Sequence, residues 1–205
     1  MTKKYAYAVH PAVAYQQAIL ANLEARTGRG LEAWLALARS QEAMDKKALL
    51  AWLKAQGLGG TQAGIIAERM SPAPHAFGED TPEGYLMAAE AYVEALFSGR
   101  RAALRPIFEA LMDAALELGP DIKVSPCKTI IPIYRAHVIA EIKPMASRVD
   151  FGLALGGLKP TARLASTGGF EKKDRITHKI AVTASREVDA ELKRWLRAAY
   201  GRDGE

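Results

Sequence analysis

Arg148-Val149-Asp150-Phe151-Gly152-Leu153-Ala154-Leu155 alternates with the period of a strand. Val149, Phe151, Leu153 and Leu155 fall on one side, and Asp150, Gly152 and Ala154 on the other. Upstream, Lys128 to Tyr134 and His137 to Lys143 are rich in Ile, Val and Tyr. Arg135-Ala136 and Pro144-Met145-Ala146-Ser147 are short connections, as a meander needs. Downstream, Gly156-Gly157 and Gly168-Gly169 bracket a longer loop, and Arg175 to Thr183 alternates Ile176, His178, Ile180 and Val182. Ser185 is read as the cap of a final helix that turns Val188, Leu192, Trp195, Leu196 and Ala199 inward and ends at Gly201. An antiparallel sheet packed with helices, an α+β domain, is therefore expected here.

Moving toward the N-terminus, the period lengthens. Thr81, Pro82 and Glu83 combine an N-cap, a first-turn proline and a favourably placed acid. That helix runs to about Phe97, Ser98-Gly99 breaks it, and a second helix with Pro106 in its first turn ends at Gly119-Pro120. The stretch from Ser71 to Pro82 holds three prolines and a glycine and cannot continue a helix. Residues 71–80 are read as a linker between a helical module, 1–70, and an α+β domain, 81–205.

The first seventy residues read as four short helices. Val13 to Thr27 groups Ile19, Leu20 and Leu23 before Gly28; Leu31, Trp34, Leu35 and Ala38 make a stripe at helical spacing. Asp45 caps a third helix carrying Leu49, Leu50, Trp52 and Leu53, and Thr61 is expected to cap a fourth through Ile65, Ile66 and Met70. Between these two stands Gly57-Leu58-Gly59-Gly60-Thr61-Gln62-Ala63-Gly64-Ile65-Ile66, the skeleton of a helix-hairpin-helix turn. Such a turn holds a nucleic-acid backbone by amides and positions it without reading sequence. Lys54, Gly57, Gly59, Gly60 and Thr61 are the candidate contacts, with Lys46, Lys47 and Arg69 as supporting charge. The plain alternative is a packed hairpin in which the same residues serve as caps. The run lacks the Gly-Lys-Ser/Thr of a nucleotide P-loop.

With 49% hydrophobic residues the chain can build a packed core. Its charge is uneven: net +4 over residues 1–70, −5 over 71–120 and +6 over 121–205. Two basic ends admit an anionic partner. A single Cys127 excludes an internal disulfide and fits a reducing cytosol, so a cytoplasmic location is expected. Tyr5 to Val9 is too short for a signal h-region, no apolar run suits a bilayer, and no membrane partner is expected.

In the sheet region Lys128, Arg135, Lys143 and Arg148 are candidates for an anion or polyanion site, and Lys172, Lys173 and Arg175 crowd the loop before the last strand. A solvated charged rim is the alternative. Cys127 beside Lys128 is weighed as a nucleophile with His137 or His178 as base, against a small buried residue. His10, His75, His137 and His178 lack zinc-ligand spacing, so no metal or other cofactor is expected, and His178 is read as a hydrogen-bonded core residue. Asp121, Glu141 and Asp150 are read as solitary acids without the Glu-x-Lys context of a nuclease. A further apolar face over residues 83–118 would make a homodimeric interaction module.

Two stretches resemble known families. Glu24-Ala-Arg-Thr-Gly28, Leu49 to Leu53 and Gly57-Leu-Gly59 resemble a small helical bacterial domain of unknown function. Leu116-Glu-Leu-Gly-Pro120, Lys128-Thr129, Arg148-Val-Asp-Phe-Gly-Leu153 and Val188-Asp-Ala-Glu-Leu192 resemble a second such family, sometimes labelled a predicted transport protein. The resemblances imply the two-domain division and no established activity. The expected function is a non-catalytic binding protein that touches nucleic-acid backbone. The rival is a small-molecule or anion-binding protein, with catalysis left open, using a pocket near Lys128, Arg148 and Cys127.

Overall fold

The computed structural model describes residues 3–41, 44–70 and 81–204. The linker expected at 71–80, and His75 with it, lies outside them. Among the described residues there are eight α-helices and one six-stranded antiparallel sheet, an α+β architecture. No helix among them is long and apolar enough to cross a membrane.

The chain divides into two compact units, one of residues 9–88 and one of residues 1–8 with 89–205. In the first, α1 (Pro11–Ala21) and α2 (Leu23–Thr27) form the first helical stretch, interrupted at Asn22. The Asn22 side-chain amide donates to the Ala18 carbonyl at 2.8 Å, competing with the backbone ladder at that point. Then come α3 (Leu31–Arg39), α4 (Lys46–Ala55) and α5 (Gly60–Arg69). Their apolar stripes meet in a core of Leu23, Trp34, Leu35, Leu53, Leu58 and Ile66. Trp34 satisfies its buried indole N–H on Thr27 Oγ1 at 2.9 Å. Asp45 caps α4 as expected, accepting from the Ala48 N–H at 2.7 Å.

In the second unit the helices α6 (Pro82–Leu96, from Ala89 onward) and α7 (Arg105–Leu116) precede the strands, and α8 (Ala190–Arg202) follows them. The sheet comprises β1 (Lys123–Val124), β2 (Ile131–Tyr134), β3 (Val138–Pro144), β4 (Val149–Leu153), β5 (Ala165–Ser166) and β6 (His178–Val182), in the order β1-β2-β3-β4-β6-β5. Register defines its two faces. Ile142, Phe151 and Ile180 lie side by side, as do Pro144, Val149 and Val182, and this apolar face shares one core with α7 and α8. On the opposite face Lys143, Asp150 and Ala181 form one row, and Glu141, Gly152 and Lys179 the next.

Four expectations change. The cap of α8 is Asp189, which accepts from the Leu192 N–H at 3.0 Å, while Ser185 opens a separate short 3-10 turn. Gly201 does not end α8, which continues to Arg202. The cap of α5 is Gly59, and Thr61 sits inside its first turn. Residues 3–8, counted from sequence with the helical module, pack on the C-terminal unit. The Ala8 N–H pairs with the Val124 carbonyl at 2.8 Å, and the Tyr5 ring meets Phe108 edge-on at 5.7 Å.

Candidate functional site

The α4–α5 turn gathers the residues singled out from sequence. α4 ends at Gln56, and Gly57 follows at φ +97°, a conformation that L side chains rarely adopt. The chain then folds inward to bury Leu58, 4% exposed, against Leu53, whose carbonyl accepts the Leu58 N–H at 3.2 Å. Gly59 returns to extended backbone, and its N–H donates to Gln62 Oε1 at 2.9 Å. The amides of Gly60, Thr61 and Gln62 stand in the first turn of α5 without a hydrogen bond to any described residue. They border an open cavity of about 440 Å³ whose other walls are Tyr15, Ala18, Ile19, Asn22 and Arg26. Arg26 has no carboxylate partner among the described residues, and Tyr15 is 62% exposed. The Lys54 chain end lies 3.8 Å from where a Gly60 Cβ would be. Lys46 and Lys47 are exposed at the far end of α4, and Arg69 is half-buried.

The four sheet cations do not gather in the same way. Arg135, in the β2–β3 turn, donates to Asp121 at 2.8 Å and to the Tyr200 carbonyl at 3.1 Å, with its guanidinium 4.2 Å from the Tyr200 ring centre. Lys143 stands at the other end of β3, about 20 Å away at strand rise. Lys143 and Arg148 do come together, because the β3–β4 hairpin sets Lys143 opposite Asp150. Arg148 Nε donates to Asp150 Oδ1 at 2.6 Å and Lys179 Nζ to Oδ2 at 3.3 Å. Burial works against the Asp150 charge, but these bonds outweigh it and hold the carboxyl below its ordinary range. Lys128 is exposed in the loop before β2.

The acids need a correction. Glu141-Ile142-Lys143 is a Glu-x-Lys, and the strand period sends Glu141 and Lys143 to the same face, Lys143 in the row of Asp150 and Glu141 in the next. Burial pushes the Glu141 carboxyl above its ordinary range, with Lys143 pulling the other way. Both Asp150 oxygens are nevertheless engaged, one by Arg148 and one by Lys179, so this carboxylate is taken up in ion pairs. Among the described residues no three His, Cys, Asp or Glu side chains gather as a metal site.

Cys127 is half-buried, and burial pushes its thiol up to about 11, which keeps it protonated and unsuited to nucleophilic work near neutral pH. His178 is the hydrogen-bonded core histidine expected. At 2% exposure its Nε2 faces the Leu158 carbonyl at 2.8 Å and so carries the proton. In the neutral ring Nδ1 then accepts from the Thr177 hydroxyl at 2.9 Å. His10 caps α1, and His137 contacts Asp203 through its ring and its backbone N–H.

A second cavity, of about 490 Å³, opens in the C-terminal unit beside β4 and α8, with Phe170, Lys173 and Arg202 among its walls. The crowded cations of the preceding loop signal it in the sequence. Arg202 does not, because it lies some thirty residues away on a helix whose inner face alone shows a pattern.

Fold and sites together define a two-unit α+β protein in which each unit carries a cavity lined by basic side chains. Residues 93–202, more than half of the chain, match the Domain of unknown function (DUF5655), and the chain belongs to that family. Residues 16–67 match a second, the Domain of unknown function (DUF4287). No curated protein and no solved structure matches significantly.

Proposed function

We propose that the protein binds nucleic-acid backbone without reading sequence, through the α4–α5 turn, in the cytosol. The observation that carries this reading is the cavity where the open first-turn amides of α5 face Arg26. Amides at a helix N-terminus favour a phosphate through both their N–H groups and the helix dipole. Arg26 adds a planar donor set and Lys54 a flexible charge beside Gly60. With Gly59 and Gly60 lacking side chains, a backbone phosphate can approach the amides directly. Nothing in this arrangement presents a base-reading element, so affinity should come from charge and fall with salt.

The test is anisotropy of labelled single- and double-stranded DNA over a salt series. Binding should weaken with a log–log slope of roughly −0.7 to −0.9 for each phosphate contacted. Gly60→Glu is the decisive variant. An acid in the first turn suits the helix dipole, so folding is retained while phosphate is repelled. It should lower affinity at least tenfold, as should Arg26→Glu and the double variant Gly59→Pro, Lys54→Glu. Unchanged binding by these variants in folded form would remove the turn from consideration.

A further inference from the structure

The cavity of the C-terminal unit sets an exposed aromatic ring beside two cations that have no carboxylate partner among the described residues. Phe170 is 56% exposed and rests against Gly157, where a Cβ would stand 3.1 Å from its ring. Arg202 lies against the backbone of Gly156, whose built Cβ would be 2.6 Å from Nη2. Neither Arg202 nor Lys173 has a carboxylate partner among the described residues, whereas Arg175 on the same wall is held by Asp203. Lys173 is also the one described residue other than glycine with positive φ, at +60°. Local strain of this kind collects where a side chain must be presented to a ligand. Asp174 supplies a carboxylate acceptor at the rim.

We infer that this cavity takes a nucleoside phosphate, with the base on Phe170 and the phosphates between Lys173 and Arg202. An aromatic face accepts any base by stacking, and flanking cations hold the phosphate. Asp174 accepts from a sugar hydroxyl or an exocyclic amine, which phosphate alone would not offer. A volume of about 490 Å³ lies within the usual range for small-molecule sites. The ligand can be a free nucleotide or the unstacked end of a strand, since both present this chemistry. The inference does not rest on the α4–α5 turn.

Calorimetric titration of the whole protein with adenosine 5′-diphosphate in metal-free buffer tests it, with adenosine and pyrophosphate as the ring-only and charge-only probes. The diphosphate should bind saturably, and each half-probe at least tenfold more weakly. Phe170→Ala, Arg202→Gln and Lys173→Gly should each weaken binding at least fivefold. Lys173→Gly removes the charge while retaining the left-handed turn, so its effect cannot come from misfolding. A hexadeoxyadenylate titrated into Gly60→Glu protein distinguishes the sources, binding more tightly than the diphosphate if the ligand is a strand end and less tightly if it is free. Diphosphate binding unchanged by Gly60→Glu would separate this site from the turn. Pyrophosphate binding as well as the diphosphate, indifference to Phe170→Ala, or no binding of either nucleotide probe would overturn the inference.

Discussion

Asp203 shows how much one carboxylate can hold in place. Its side chain, 2% exposed just beyond α8, accepts from the His137 backbone N–H at 2.8 Å, from the His137 ring and from Arg175. Burial alone would raise its pKa, but these donors outweigh it and hold the carboxyl below the ordinary 3.8. The folded value is depressed, so the stabilisation is present above the ordinary value and is lost as pH falls through the folded one. Urea melts should show Asp203→Asn less stable than the parent at neutral pH, with the difference shrinking below about pH 4. A pH-independent difference would mean the charge is irrelevant. None of this was legible in the sequence, where Asp203 is one acid in a polar tail. Its role comes from α8 delivering it to a turn 66 residues earlier.

Strand β4 was the most legible element, and the physical reason is that its two faces, though both buried, differ in polarity. A strict alternation marked its core side, while the polar side had to be satisfied locally, by Asp150 with its two cations. Gly152 is the part that alternation could not explain. A Cβ there would come within 2.7 Å of both Glu141 Cγ and Ile176 Cγ2, so the glycine makes room for the neighbours' side chains. Gly152→Ala should destabilise the C-terminal unit by about 1–3 kcal/mol through overpacking, measurable by chemical denaturation. No loss would mean that Glu141 swings clear. The two-residue strands β1 and β5 escaped the sequence reading because a pattern of period two needs more than two residues to appear. The α4–α5 turn was legible because glycine and cap chemistry is local, whereas the Arg26 that faces it arrives through tertiary packing.

For the molecule as a whole, the order of units along the chain differs from the order of elements within them. Residues 3–8 complete the C-terminal unit through Tyr5 on Phe108, the Lys3–Asp113 ion pair and the Ala8–Val124 backbone bond. The helical unit is thus an insertion in a discontinuous partner. Removing residues 1–8 should lower amide-exchange protection in β1 and α7 and leave α3 to α5 unchanged. The reverse pattern would place the segment with the helical unit. During synthesis this arrangement imposes a wait. The helical unit can finish folding as it leaves the ribosome, but the segment before it has nothing to bind until Val124 emerges. At ordinary translation rates that interval is on the order of ten seconds. Throughout it the aromatic Tyr5 and Tyr7 travel uncovered, available to whatever chaperone meets them first.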